Sequence, residues 1–140
     1  MTALDGRQLL TLIRRVGAVD ARARGRLMRL VEISDLEASV VLALADGSPL
    51  TRARLQAQLD LSVAGADALT RMLADRALVV REPDPNDRTA VQLRLSHGAQ
   101  VELAAALYRL IDHLDGIAAG LANADARAVA NFVDALTDVD

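Results

Sequence analysis

The sequence contains no cysteine and no lysine, and its 140 residues include only two aromatics, Tyr108 and Phe132. Without cysteine there is no disulfide framework, no thiolate zinc site and no thiol nucleophile or redox switch. Aromatic and β-branched residues are too few for an all-β sandwich. No apolar run approaches the roughly 18 residues needed to span a bilayer. The start, Met1-Thr2-Ala3-Leu4-Asp5-Gly6-Arg7, has no charged segment followed by an apolar one, so it does not read as a secretory signal. The expected compartment is the cytoplasm. Catalytic signatures are missing too: there is no Gly-rich phosphate loop, no Gly-x-Ser-x-Gly elbow and no His-Glu-x-x-His. His97 and His113 are too far apart in sequence for an i, i+4 metal pair. No enzyme activity, cofactor or metal site is therefore expected.

What is abundant is alanine (27) and leucine (24), which favours helices. Arginine is the sole strong base. Sixteen Arg face nineteen acids, and the net charge is −3, a mild argument against nucleic acid. The charge is unevenly spread, however. Residues 1–30 hold seven Arg and two acids, whereas residues 101–140 hold two Arg and seven acids. Residues 61–100 are balanced, with five of each. The basic head suits contact with DNA, contact with the acidic tail of a partner chain, or simple solvation.

The apolar spacing is mostly helical between a few turn signals. A first helix is predicted from about residue 6 to 31, with Leu9, Ile13 and Val16 on one side. Ser34-Asp35-Leu36-Glu37 reads as a capping box opening a short second helix to about Ala45. Thr51 and Ser62 are suited to cap a third and a fourth helix. In the fourth, Ala66, Leu69 and Leu73 face inward. The period then changes to that of strands at Leu78–Arg81 and Val91–Leu95. The segment between them, Glu82 to Ala90, contains two prolines and reads as an exposed hairpin tip. After Ser96 one long helix is predicted through Leu121, followed by a last helix carrying Val129, Phe132, Val133 and Leu136. Three short helices and a hairpin make the winged helix-turn-helix pattern. The chain therefore reads as one mainly α domain over 1–140. Residues 34–96 form the winged helix-turn-helix lobe, and 1–33 and 97–140 are long terminal helices whose apolar stripes need a partner. A second copy of the chain is the simplest one.

The stretch Ala77-Leu78-Val79-Val80-Arg81-Glu82-Pro83-Asp84-Pro85-Asn86-Asp87-Arg88, then Val91 to Gly98, resembles the signature of the multiple-antibiotic-resistance regulator (MarR) family. The resemblance covers roughly residues 5 to 137. It implies a homodimeric regulator, usually a repressor, that binds double-stranded DNA at a pseudo-palindrome. It also implies release by a small anionic or phenolic ligand held between the dimer helices and the DNA-binding lobe. Three positions depart from the signature: Ala77 replaces a glycine, Ser96 replaces a threonine, and Thr89 stands where the family's groove-binding arginine falls.

On this basis the helix starting at Ser62 enters the major groove and the 82–90 wing lies along the adjacent groove. Phosphate or groove contacts fall to Arg52, Arg54, Arg71, Arg81 and Arg88. Ser62 and Thr70 supply ordinary polar contacts, and Thr89 at most a weak phosphate or sugar contact. Ala64 is suited to a thymine methyl and Asp67 to a cytosine amine. Asp87 either holds the wing arginine or caps the hairpin turn. A pocket for an anionic ligand would be lined by Arg14 or Arg15 with Tyr108 and His113, although packing at a dimer interface accounts for the same residues. The alternative function is a module of the same fold that binds a ligand or a protein and has weakened or lost DNA binding. Thr89, Asp67 and the Ala/Gly-rich first turns of the recognition helix motivate it.

Overall fold

The computed structural model describes residues 3–137. Met1 and Thr2, at the head of the segment read against a secretory signal, lie outside them, as do Asp138 and Asp140 of the acidic tail. The described residues are mainly helical, 68% helix, with a small three-stranded antiparallel sheet. Its order is α1 (Gly6–Leu30), α2 (Asp35–Ala43), β1 (Leu50–Thr51), α3 (Arg52–Leu59), α4 (Val63–Asp75), β2 (Val79–Asp84), β3 (Asp87–Leu95), α5 (His97–Ala106), α6 (Tyr108–Ala119) and α7 (Asn123–Thr137). Two compact units result, Met1–Leu107 and Tyr108–Asp140.

The first unit is built from strong local signals. Ser34 and Glu37 form the expected capping box, with Glu37 N–H donating to Ser34 Oγ and Ser34 N–H to Glu37 Oε1, each at 3.1 Å. A second capping box at Asp5 and Gln8 starts α1. The core is closed by Leu27, Val40, Leu44, Leu55, Leu73 and Leu93, drawn from five elements. From α1 only Ala23 and Leu27 are buried in it. The expected stripe at Leu9, Ile13 and Val16 lies outside this core, and Val16 is 69% exposed.

Arg76 ties the end of α4 to the junction of α1 and α2. It donates to Glu37 Oε2 at 2.9 Å and to the Glu32 carbonyl at 2.8 Å. Burial pushes the Glu37 carboxyl up, but the Ser34 hydrogen bonds and Arg76 outweigh it and hold the group below the usual carboxylate range.

α4 ends in a Schellman motif. Leu78 N–H donates to the Leu73 carbonyl and Ala77 N–H to that of Ala74. The residue at the left-handed position of that motif is Ala77, with φ +57°. This explains why glycine suits the position.

Two expectations are corrected. The segment 82–90 is mostly strand: β2 runs to Asp84 and β3 restarts at Asp87, leaving Pro85 and Asn86 as the turn. Pro83 is tolerated because the strand order β1-β3-β2 makes β2 an edge. The single long helix after Ser96 is two helices, divided at Leu107. A continuous helix would give the Ala106 carbonyl to Leu110. Here Arg26 Nε, from α1, donates to it at 2.7 Å. The strand β1, pairing Leu50 with Leu93 and Thr51 with Gln92, was not expected, since two residues carry no periodicity.

In the second unit no residue of α6 or α7 is buried. Among the described residues no helix is long and apolar enough to cross a membrane.

Candidate nucleic-acid interface

α3 begins on its Thr51 cap, where Arg54 N–H donates to Thr51 Oγ1 at 3.2 Å. This places Arg52 and Arg54, both exposed, in the first turn. A helix N-terminus is electropositive, so cations there are unfavourable by about 0.3–1 kcal/mol each. Arg52 is compensated: its Nη1 lies 3.1 Å from Asp67 Oδ1 on α4.

α4 begins on Ser62, whose Oγ accepts from Gly65 N–H at 3.0 Å. A Cβ on Gly65 would lie 3.1 Å from that oxygen, so glycine keeps the cap uncrowded. The helix buries Ala66, Leu69, Thr70 and Leu73. Its outer surface exposes Val63, Ala64, Ala68, Arg71 and Met72, with Asp67 half-buried. Thr70 departs from its expected role as a polar contact. It is buried, and its hydroxyl donates to the Ala66 carbonyl at 2.7 Å. It lies on the same face as Ala66, one turn away, and that face is the core face.

The wing is stiffened by side chains. Arg94 Nε lies 3.1 Å from Glu82 Oε1, and Gln92 donates to the same oxygen at 3.0 Å. At the tip, Asp84 accepts from Asn86 N–H at 2.9 Å. Asp87 Oδ1 accepts both the N–H and the hydroxyl of Thr89, at 3.0 and 2.7 Å. Of the two roles considered for Asp87, the structure therefore displays the turn cap. The Thr89 bonds hold the Asp87 carboxyl below its ordinary range. The register jumps from Pro83↔Val91 to Asp84↔Asp87, so Arg88, Thr89 and Ala90 have no partners on β2. The simple in–out alternation does not apply there. Arg88 is exposed, as is Arg81 on β2.

An open cleft of about 430 Å³ brings α3, α4 and the wing together, lined among others by Arg52, Asp67, Thr70, Arg81, Asp87 and Thr89. Arg54, Ser62, Ala64, Arg71 and Arg88 do not line it. Sequence reasoning missed the pairing of Arg52 with Asp67, which spans 15 residues and leaves no mark in local pattern. The expected ligand residues fall in different units. Arg14 and Arg15 are exposed on α1 of the first unit. Tyr108 and His113 are exposed on α6 of the second.

No family model matches the chain, and no curated protein does. Solved structures do match it. NadR in complex with 4-hydroxyphenylacetate is 18% identical, with a TM-score of 0.69 over 100% of this chain and 99% of that one. The transcriptional regulator Tm0710 from Thermotoga maritima is 15% identical, with a TM-score of 0.62 over 93% and 92%. A mutant MarR from E. coli complexed with operator DNA is 17% identical, with a TM-score of 0.56 over 91% and 92%. At these identities the likeness shows the fold. The chain has the winged-helix fold of MarR-type transcriptional regulators.

Proposed function

We propose that this chain is a homodimeric, cytoplasmic transcriptional regulator, a repressor rather than an enzyme, that binds duplex DNA through α4 and the wing. The observation that carries this reading is the shared cleft: Arg52 at the start of α3 and Arg81 on the wing border the same concave surface beside the outer face of α4. Arg54 on α3, Arg71 on α4 and Arg88 on the wing are exposed. In this reading α4 enters the major groove and the five arginines meet phosphates, with Ser62 and Thr89 as minor contacts. Thr70 lines the cleft but is buried and bonded to the Ala66 carbonyl, and no DNA contact is given to it. Ala64 faces a thymine methyl. The two lobes of a dimer read half-sites about one helical turn apart.

Dimerisation is supported by apolar residues without cover, among them Leu114, Ile117, Phe132 and Val133, each between 39% and 51% exposed. A ligand that relieves repression is of the anionic or phenolic class, and Arg14, Arg15, Tyr108 and His113 are its proposed contacts. The neighbour NadR holds 4-hydroxyphenylacetate, which is both phenolic and anionic.

The test is a band-shift series on duplex fragments from around the gene, at low and rising salt. Retardation that weakens with salt is expected. Arg81→Ala should weaken binding evenly across sequences and reduce the salt slope by about 1. Absence of any retarded band at low salt would favour the second reading, a ligand- or protein-binding module of the same fold. That reading is favoured by the apolar outer turns of α4 and by the engagement of Arg52 with Asp67.

A further inference from the structure

Five arginines belong to the proposed DNA face: Arg52, Arg54, Arg71, Arg81 and Arg88. Among the described residues, Arg52 alone of these is held by a carboxylate. Its partner Asp67 stands on the outer side of the helix proposed to read DNA, and both residues line the cleft shared with the wing. The pair is 52% and 44% exposed, so water and ions reach it. It has little to add to the fold, because α3 and α4 already bury Leu55, Ala66 and Leu69. Its electrostatics are more telling. A carboxylate oxygen offers a guanidinium the same charge-assisted hydrogen bond that a phosphate oxygen does.

We propose that Asp67 is an internal substitute for a DNA phosphate, occupying Arg52 in the free protein and giving way when duplex docks. This rests on the DNA-binding reading and deepens it. An exposed ion pair is weak, so Asp67 attenuates binding and does not block it. The exchange also leaves an unpaired carboxylate facing a polyanion. That penalty falls on every sequence except one that presents an amine edge to Asp67, as cytosine does in the major groove. Asp67 thus lowers affinity for random DNA and leaves a chosen site favoured.

The test uses the full chain and a labelled random-sequence duplex, with affinity measured by fluorescence anisotropy over a salt series. Wild type, Asp67→Ala, Arg52→Ala and the double variant complete a cycle. Asp67→Ala should tighten low-salt binding by about 3- to 10-fold, because Arg52 then has no carboxylate to leave when it meets a phosphate. In the Arg52→Ala background the same change should give less than half that gain. Wild-type affinity in Asp67→Ala, or an equal gain with and without Arg52, would overturn the proposal while leaving the DNA-binding reading intact. If the wild type and every variant fail to bind at low salt, the DNA-binding reading falls and the proposal with it. Thermal melts check that each variant folds. Asp67→Asn, which keeps the side-chain shape, repeats the measurement if Asp67→Ala melts early.

Discussion

Leu27, Leu44, Leu55 and Leu73 of the first unit are at most 1% exposed, whereas Leu114, Ile117, Phe132 and Val133 of the second are 39% to 51% exposed. Both regions are rich in alanine and leucine. Composition therefore does not explain the difference. In the first unit, helices and a sheet approach from several directions and enclose a volume. In the second, two amphipathic helices carry apolar stripes, but neither buries a residue. Two helices by themselves offer too little surface to enclose such stripes. A stripe left uncovered over two successive helices is what the proposed dimer would cover.

The sharpest way to break this comparison is to charge the uncovered stripe. Leu114→Glu with Phe132→Glu should raise a dimer dissociation constant by about 100-fold or more, since each lost side chain is worth about 1.5–3 kcal/mol when buried. Light scattering should report twice the chain mass for the wild type and a single chain mass for the variant. A wild type that is monomeric at micromolar concentration would undo the argument. The matching change in the first unit, Leu73→Ala, should cost about 2–5 kcal/mol of folding stability in denaturant melts. It should leave association constants alone once the protein is folded.

A smaller effect is expected from the polar tie beneath the first unit's core. Glu37→Ala leaves the Ser34 N–H and Arg76 without their acceptor and should cost about 1–3 kcal/mol at neutral pH. The sign with pH follows from the lowered Glu37 carboxyl. Its contribution is fully present above the ordinary carboxylate range and is lost as pH falls through the depressed folded value. The stability gap between wild type and variant should therefore narrow in acid, and a constant gap would contradict the assignment. Smallest is Ala77→Gly. Relief of a left-handed alanine should stabilise by roughly 1 kcal/mol, seen as a raised denaturation midpoint.

Much of the fold was legible because its signals are short. The capping box at Ser34 and Glu37, the caps at Thr51 and Ser62, and the inward face of α4 all appear as read from the sequence. Thr70 was misread because a threonine one turn after Ala66 looks like an outer polar residue in a helix with few of them. Its position on the core face and its bond to the Ala66 carbonyl decide otherwise. The break at Leu107 was invisible because the run from Val101 to Leu110 keeps helical spacing. The capture of the Ala106 carbonyl by Arg26 comes from 80 residues away. The Asp5 cap was overlooked although its spacing to Gln8 fits the known pattern.

The sequence by itself determined where most helices start, which faces of α4 and β3 turn inward, and that the terminal helices carry unsatisfied apolar stripes. These depend on caps and periodicities a few residues long, whose physics acts within one turn or one strand. Only the tertiary structure decided that Asp67 holds Arg52, that Asp87 holds Thr89 at an irregular wing tip, that Arg76 bridges Glu37 and Glu32, and where the last helices divide. Each of these is a choice among several partners of like chemistry. Sixteen arginines and nineteen acids allow many pairings, and only the folded backbone selects which of them fall within hydrogen-bond reach.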